Sequence, residues 1–201
     1  VPQSRILVYD VKDPANPKIA QDLAFEGSVT DSRLVGDVLY VVTSQLSWYG
    51  YGDNQQQTVK AKIYSFRVQG DKLETIQELQ LGLPVSGENM NIVEVMQASG
   101  GYKYYLVAVM RQGGFWWGRN SVIEVVDISD PQGQIQPVMT ASAKGFVDER
   151  SATHIQDDVL LVTSNYRIDQ SDWQSPLLMA VEAFQLPNKQ SVRISEDEAK
   201  F

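Results

Sequence analysis

The segment ILVYDV, ending at Val11, returns as IYSFRV ending at Val68, as IEVVDI ending at Ile128 and as VEAFQL ending at Leu186. Self-similarity at a period of about 60 residues, carried by segments rich in β-branched and aromatic residues, marks an array in which each unit is one small antiparallel sheet. Such an array points to a scaffold before it points to a catalyst.

Two of the four segments run into the same reversal: Val11-Lys12-Asp13-Pro14 and Ile128-Ser129-Asp130-Pro131. Asp accepts bonds from backbone amides two residues on, and Pro holds φ near −65°, so the chain is set to turn there. Gly70-Asp71 and Pro187-Asn188 stand at the corresponding places of the other two units.

Each unit carries a second core. Val38 to Thr43, Tyr104 to Val109 and Val159 to Thr163 are short and almost continuously apolar, as strands buried on both faces are. A more polar strand is expected upstream of each, at 30–35, 90–96 and 152–156, and a half-apolar one downstream of each turn. Four strands per unit, a to d from the inside outward, make a propeller blade. The expected fold is all-β: a β-propeller segment of about three and a half four-stranded antiparallel blades in one domain, 1–201. A half blade falls at 4–25 and blades at about 27–81, 82–141 and 145–201. Closed propellers have at least four blades, so this count cannot close a ring by itself.

The strings VYDVKDPANPK and GSVTDSRLVGDVLYVVTS, echoed by VVDISDP and DDVLLVTSNYR, resemble the bacterial secreted proteins with a C-terminal β-propeller domain distantly related to WD repeats. The resemblance covers most of the chain. It implies a propeller fold and an extracellular, periplasmic or cell-surface bacterial setting, and it brings no catalytic residues with it. The chain departs from that family in length and at both ends. The expectation is a piece of a larger propeller, completed by the rest of a parent chain or by another chain.

Composition narrows the function classes. A formal charge of −8, without any cluster of Lys and Arg, disfavours nucleic acid and anionic membrane surfaces. There is no Cys and a single His, His154, which removes disulfides, thiolate chemistry and multi-histidine metal centres. No cofactor, metal or membrane insertion is expected, and no apolar run reaches the roughly 18 to 20 residues of a membrane span.

The b–c connections of neighbouring blades share one rim, and here they are read at 45–62, 110–121 and 164–176. They hold every Trp of the chain. Trp48, Tyr49, Tyr51, Phe115, Trp116, Trp117, Arg119, Tyr166 and Trp173 are the candidate ligand-binding residues. Aromatic faces supply contact area at low entropic cost, while nearby Gly, Asn, Asp and Gln supply adaptable hydrogen bonds. Two explanations stand side by side: a recognition face for a glycan, peptide or protein partner, or rings packed on one another as a satellite core. A second candidate site is the mouth of the central channel, with Asp31, Arg33, Arg150 and His154; Glu94 lies in the same group of strands. Carboxylates near a histidine can do acid–base work, so the alternative function is a hydrolase or lyase. No motif fixes a nucleophile, an oxyanion hole or a metal, and the enzyme question leans towards no.

Overall fold

Alternate residues of the b strands point to opposite faces, and both faces are apolar, so each such strand must be covered on two sides. A computed structural model describes residues 3–49, 56–81, 87–97, 103–112, 120–147, 152–156, 158–169, 172, 174–186 and 193–200. β1 (Gln3–Asp10) and β2 (Lys18–Glu26) form a two-stranded sheet. β3 (Ser28–Val35), β4 (Val38–Tyr49), β5 (Gln56–Gln69) and β6 (Lys72–Gln80) form a four-stranded sheet in chain order. A second comprises β7 (Gly87–Gln97), β8 (Tyr104–Gln112), β9 (Asn120–Asp127) and β10 (Gln136–Ala143). A third comprises β11 (Thr153–Gln156), β12 (Val159–Arg167), β13 (Leu177–Gln185) and β14 (Arg193–Lys200). All pairings are antiparallel. The fold is therefore a β-propeller segment of about three and a half blades.

The cores are the seams between successive sheets. Val38, Tyr40, Val42, Ala61 and Ile63 face Leu106, Ala108, Met110, Val126 and Ile128 of the next sheet. The alternate residues of β8 and β9, Tyr105, Val107, Val109, Ile123 and Val125, face Ile155, Leu160, Val162, Phe184 and Leu186 beyond. Ile6, Val8, Leu23 and Phe25 of the two-stranded sheet pack on Leu39, Val41, Tyr64, Phe66 and Leu73. Tyr40 crosses its seam to donate to the carbonyl of Ile128 at 3.2 Å, and burial, with Asp130, Asp127 and Asp37 nearby, pushes its phenol up to about 12.

The Asp-Pro reversals hold their shape by paired side-chain caps. Asp10 accepts from the Lys12 amide at 2.9 Å and Asp13 from Ala15 at 3.2 Å; Asp127 accepts from Ser129 at 2.8 Å and Asp130 from Gln132 at 2.6 Å. The bond from the Lys12 amide also lowers the Asp10 carboxyl below its usual range.

Every outer strand carries a register shift at the same place, opposite Val8/Tyr9, Ser65/Phe66, Val125/Val126 and Ala183/Phe184. A bulge bends the outer strand and increases its twist, as strands at the perimeter of splayed blades require. The residue beside the bulge is Gln21 in β2 and Gln77 in β6, and each clasps the next sheet by its amide. Gln21 donates to the Leu73 carbonyl at 2.8 Å and accepts from the Leu73 amide at 2.6 Å. Gln77 does the same to Ile135, at 3.2 and 2.7 Å.

Candidate functional site

The b–c connections are shorter than the sequence suggests, because the strands on either side run on. The first, expected at 45–62, is strand up to Tyr49 and again from Gln56, paired from Val38↔Arg67 out to Tyr49↔Gln56. β3 leaves this hairpin at Ser28↔Ser44 and β6 leaves it at Gln80↔Lys62. Beyond that line the five pairs from Gln45↔Lys60 to Tyr49↔Gln56 bond only to each other within the sheet, so a two-stranded ribbon projects past the blade. Trp48 and Tyr49 sit in its last two pairs, opposite Gln57 and Gln56. Their side chains, and the whole of Tyr51, fall outside the described residues.

The second hairpin closes at Gln112↔Asn120 without a ribbon, since β7 and β10 accompany it almost to its end. Phe115, Trp116, Trp117 and Arg119 lie outside the described residues. The third closes at Arg167↔Leu177 and its connection is knitted to itself. Arg167 donates to the Ser175 carbonyl at 2.5 Å, the Asp169 amide to Ser175 Oγ at 2.8 Å and the Gln174 amide to Asp172 at 2.9 Å. Tyr166 is buried, packed with Leu178 and Ala180, and the Lys144 ammonium stands 4.4 Å over its ring. That ring is engaged by its own protein. Trp173 lies outside the described residues.

Of the channel-mouth group, Asp31 and Arg33 are together. Asp31 Oδ1 accepts from the Arg33 guanidinium at 2.5 Å and from the Ser32 amide at 2.7 Å. His154 is exposed and lies on a different sheet, opposite Leu161, while Arg150 lies outside the described residues. Arg33 pairs with Tyr40, Glu94 with Val107 and His154 with Leu161, which makes the three one repeated position on three successive inner strands.

The sequence reading missed a cleft of about 360 Å³ at the perimeter between β2 and β5–β6. Phe25, Tyr64 and Phe66 line it, with ring centroids 5.3 to 6.4 Å apart. Lys62 bridges Glu26 at 3.1 Å and Glu78 at 2.5 Å across it. The Glu78 bond raises the Lys62 ammonium pKa, and burial, with Glu78 nearby, raises that of the Tyr64 phenol. The cleft's one signal in the sequence was Lys62, a cation in the apolar run AKIYSF.

Successive antiparallel sheets in a-to-d order, packed face to face, define a β-propeller, a fold that serves as a scaffold or binding module. Residues 1–99 match the family model described as a beta propeller domain. No curated protein matches the chain.

Proposed function

We propose that the chain is a binding scaffold of a bacterial secreted or cell-surface protein, which engages a glycan, peptide or protein partner through the rim where its b–c hairpins turn. The observation that carries this is the projecting ribbon of β4 and β5. Trp48 and Tyr49 occupy the last two pairs of this ribbon, past the points where β3 and β6 leave it. Aromatic residues close to a hairpin turn are common anchors of a recognition surface. The bacterial, extracellular setting rests on the resemblance of the repeat strings to secreted propeller proteins distantly related to WD repeats.

All four Trp lie in or beside the three connections, so tryptophan emission and acrylamide quenching report on them alone. Red-shifted, readily quenched emission is expected. A glycan and peptide array probed with the chain and with a variant carrying Trp48→Ala, Tyr49→Ala, Trp116→Ala and Trp117→Ala then tests recognition. The variant is expected to keep its fold by circular dichroism and lose at least tenfold in affinity. Binding unchanged in a folded variant, or blue-shifted protected emission, would overturn the rim as the site.

A further inference from the structure

A sheet edge is a row of backbone donors and acceptors that another extended chain can complete, and a fold that leaves an edge unused blunts it with charge, proline, a bulge or shortness. The edges of the four-stranded sheets are blunted in this way. The outer strands β6, β10 and β14 each carry a register shift, with Glu74 and Glu78 on the first, Pro137 on the second, and Asp197 and Glu198 on the third. Of the inner strands, β3 has a shift beside Asp31 and Arg33, β7 has two shifts, and β11 is four residues long.

The ribbon segment of β4 departs from that pattern. Its pairing with β5 runs from Val38 to Tyr49 without a shift, and Gln45-Leu46-Ser47-Trp48-Tyr49 holds no charge, proline or glycine. The Val68 amide donates to the Asp37 carbonyl at 2.8 Å, which makes 37 and 68 a hydrogen-bonded pair, and such pairs alternate along an antiparallel ladder. With the register unbroken, Gln45, Ser47 and Tyr49 turn their amides and carbonyls to β5, while Leu46 and Trp48 turn theirs to the opposite edge. Ser44, the residue before them on that edge, is met by Ser28 of β3. The chain reaches Ser28 through Gly27, whose φ of +90° brings it in from β2, a strand of a different sheet. Among the described residues no strand continues along Leu46 and Trp48. The other edge of the ribbon carries Lys60, next to Ala61, whose carbonyl accepts from the Leu81 amide at 2.9 Å.

We infer that this edge of β4 takes its partner by strand addition: an extended peptide segment of another protein lies beside Gln45 to Tyr49, in the line of β3, and exchanges backbone bonds with Leu46 and Trp48. The inference rests on the rim reading above and narrows its partner to a peptide. The edge itself selects that occupant. Two amides and two carbonyls recur at the two-residue spacing of another extended backbone, which is how sheet edges recognise peptides. The hydroxyls of a glycan carry no such alternation.

Amide hydrogen exchange followed by nuclear magnetic resonance tests the edge with no ligand present. In the free chain the amides of Leu46 and Trp48 are expected to exchange at least tenfold faster than those of Gln45, Ser47 and Tyr49. Equal protection at all five would mean that the chain covers this edge itself and would overturn the proposal. Phage-displayed peptides of about eight residues, selected on the chain, supply the probe. Methylating the backbone nitrogens of a selected peptide one at a time is expected to cut affinity at least tenfold at every second position. Leu46→Pro removes an outward amide and no ribbon bond, and is expected to cost at least tenfold as well. Leu46→Ala, and Gln57→Pro on the other edge, are expected to bind as the wild type does, with all three variants checked for fold by circular dichroism. Binding indifferent to Leu46→Pro, a methylation profile without the two-residue period, or a selection that yields no peptide would each overturn strand addition. A ligand lost on the aromatic variant of the array but kept by Leu46→Pro refutes only the edge and leaves the rim reading standing.

Discussion

Gly145 is where the backbone of one repeat comes closest to the next strand, and replacing it by Ala isolates the cost of that approach. An ideal Cβ there would lie 2.1 Å from the carbonyl oxygen of Asn165, 2.5 Å from its carbon and 2.9 Å from Tyr166 Cβ. The nearest atoms are backbone, so no flexible side chain can swing away, and the strand must retreat by roughly 1 Å before contact is tolerable. The retreat opens the two-bond bridge in which the Phe146 amide donates to Asn165 at 2.8 Å and the Asn165 amide donates back at 2.9 Å. It also pulls the Gly145 amide from Ser164 Oγ, now 3.2 Å away, and its carbonyl from the Ser121 amide at 2.8 Å. With about 1 kcal/mol net for each bond of the bridge and about 1–3 kcal/mol for overpacking, Gly145→Ala is expected to cost about 3–5 kcal/mol.

Gly70→Ala is the control. Gly70 has φ of +61° and open space where a Cβ would go, so that variant meets only the left-handed backbone penalty of about 1 kcal/mol. Urea unfolding of both variants, followed by far-ultraviolet circular dichroism, gives the comparison directly. A Gly145→Ala loss no larger than that of Gly70→Ala would refute the reasoning, since it would mean the 144–147 segment moves aside freely.

The clasps and the buried phenol give two further tests. Gln21→Ala and Gln77→Ala each remove a side chain bonded to both polar groups of one backbone residue, and each is expected to lower stability by about 1–2 kcal/mol in urea melts; losses within a few tenths would show that water replaces the amide. The Tyr40 phenol, pushed up to about 12 by burial and the nearby Asp130, keeps its proton in the folded chain after the unfolded chain has lost it. Its contribution is whole below pH about 10 and is lost as pH rises from there to about 12, roughly 2–3 kcal/mol in all by linkage. Tyr40→Phe is expected to flatten the alkaline limb of the stability profile; an unchanged limb would show that the decline comes from other groups.

Much of the fold was legible because propeller strands are two-sided. The apolar runs at Val38 to Thr43 and Tyr104 to Val109 leave no wet face, and the period of about 60 residues says how many such strands must stack. The Asp-Pro reversals were legible for the same local reason that they form: the carboxylate reaches the amide two residues on whatever surrounds it. The strand extension through Gln45 to Tyr49 was hidden because its Gln and Ser residues and the Gly-rich segment that follows imitate loop composition. The clasps were hidden because a Gln on a mixed outer strand looks solvent-facing until the neighbouring sheet is in place. Tyr166 read as a display residue, yet its ring fills space beneath Lys144, which no spacing in the sequence could show.

The channel-mouth group shows why repeats mislead a search for chemistry. Arg33 and His154 of that group, and Glu94 on the strand between them, hold one register position copied onto three sheets. Periodicity distributes equivalent residues around an axis and does not by itself bring unlike ones into contact. Recognition in such an array is therefore to be sought where one unit departs from the others. The ribbon of β4 and β5 is one departure. The second c-strand position is another, with Leu7, Tyr64, Glu124 and Glu182 in turn. Glu182 shows how far a single exchange can go, since its buried carboxylate accepts from the Lys144 amide at 2.9 Å and from Ser164 at 3.1 Å and fixes the connection that carries Gly145. The same position in β1 is Leu7, which is exposed and holds no such connection.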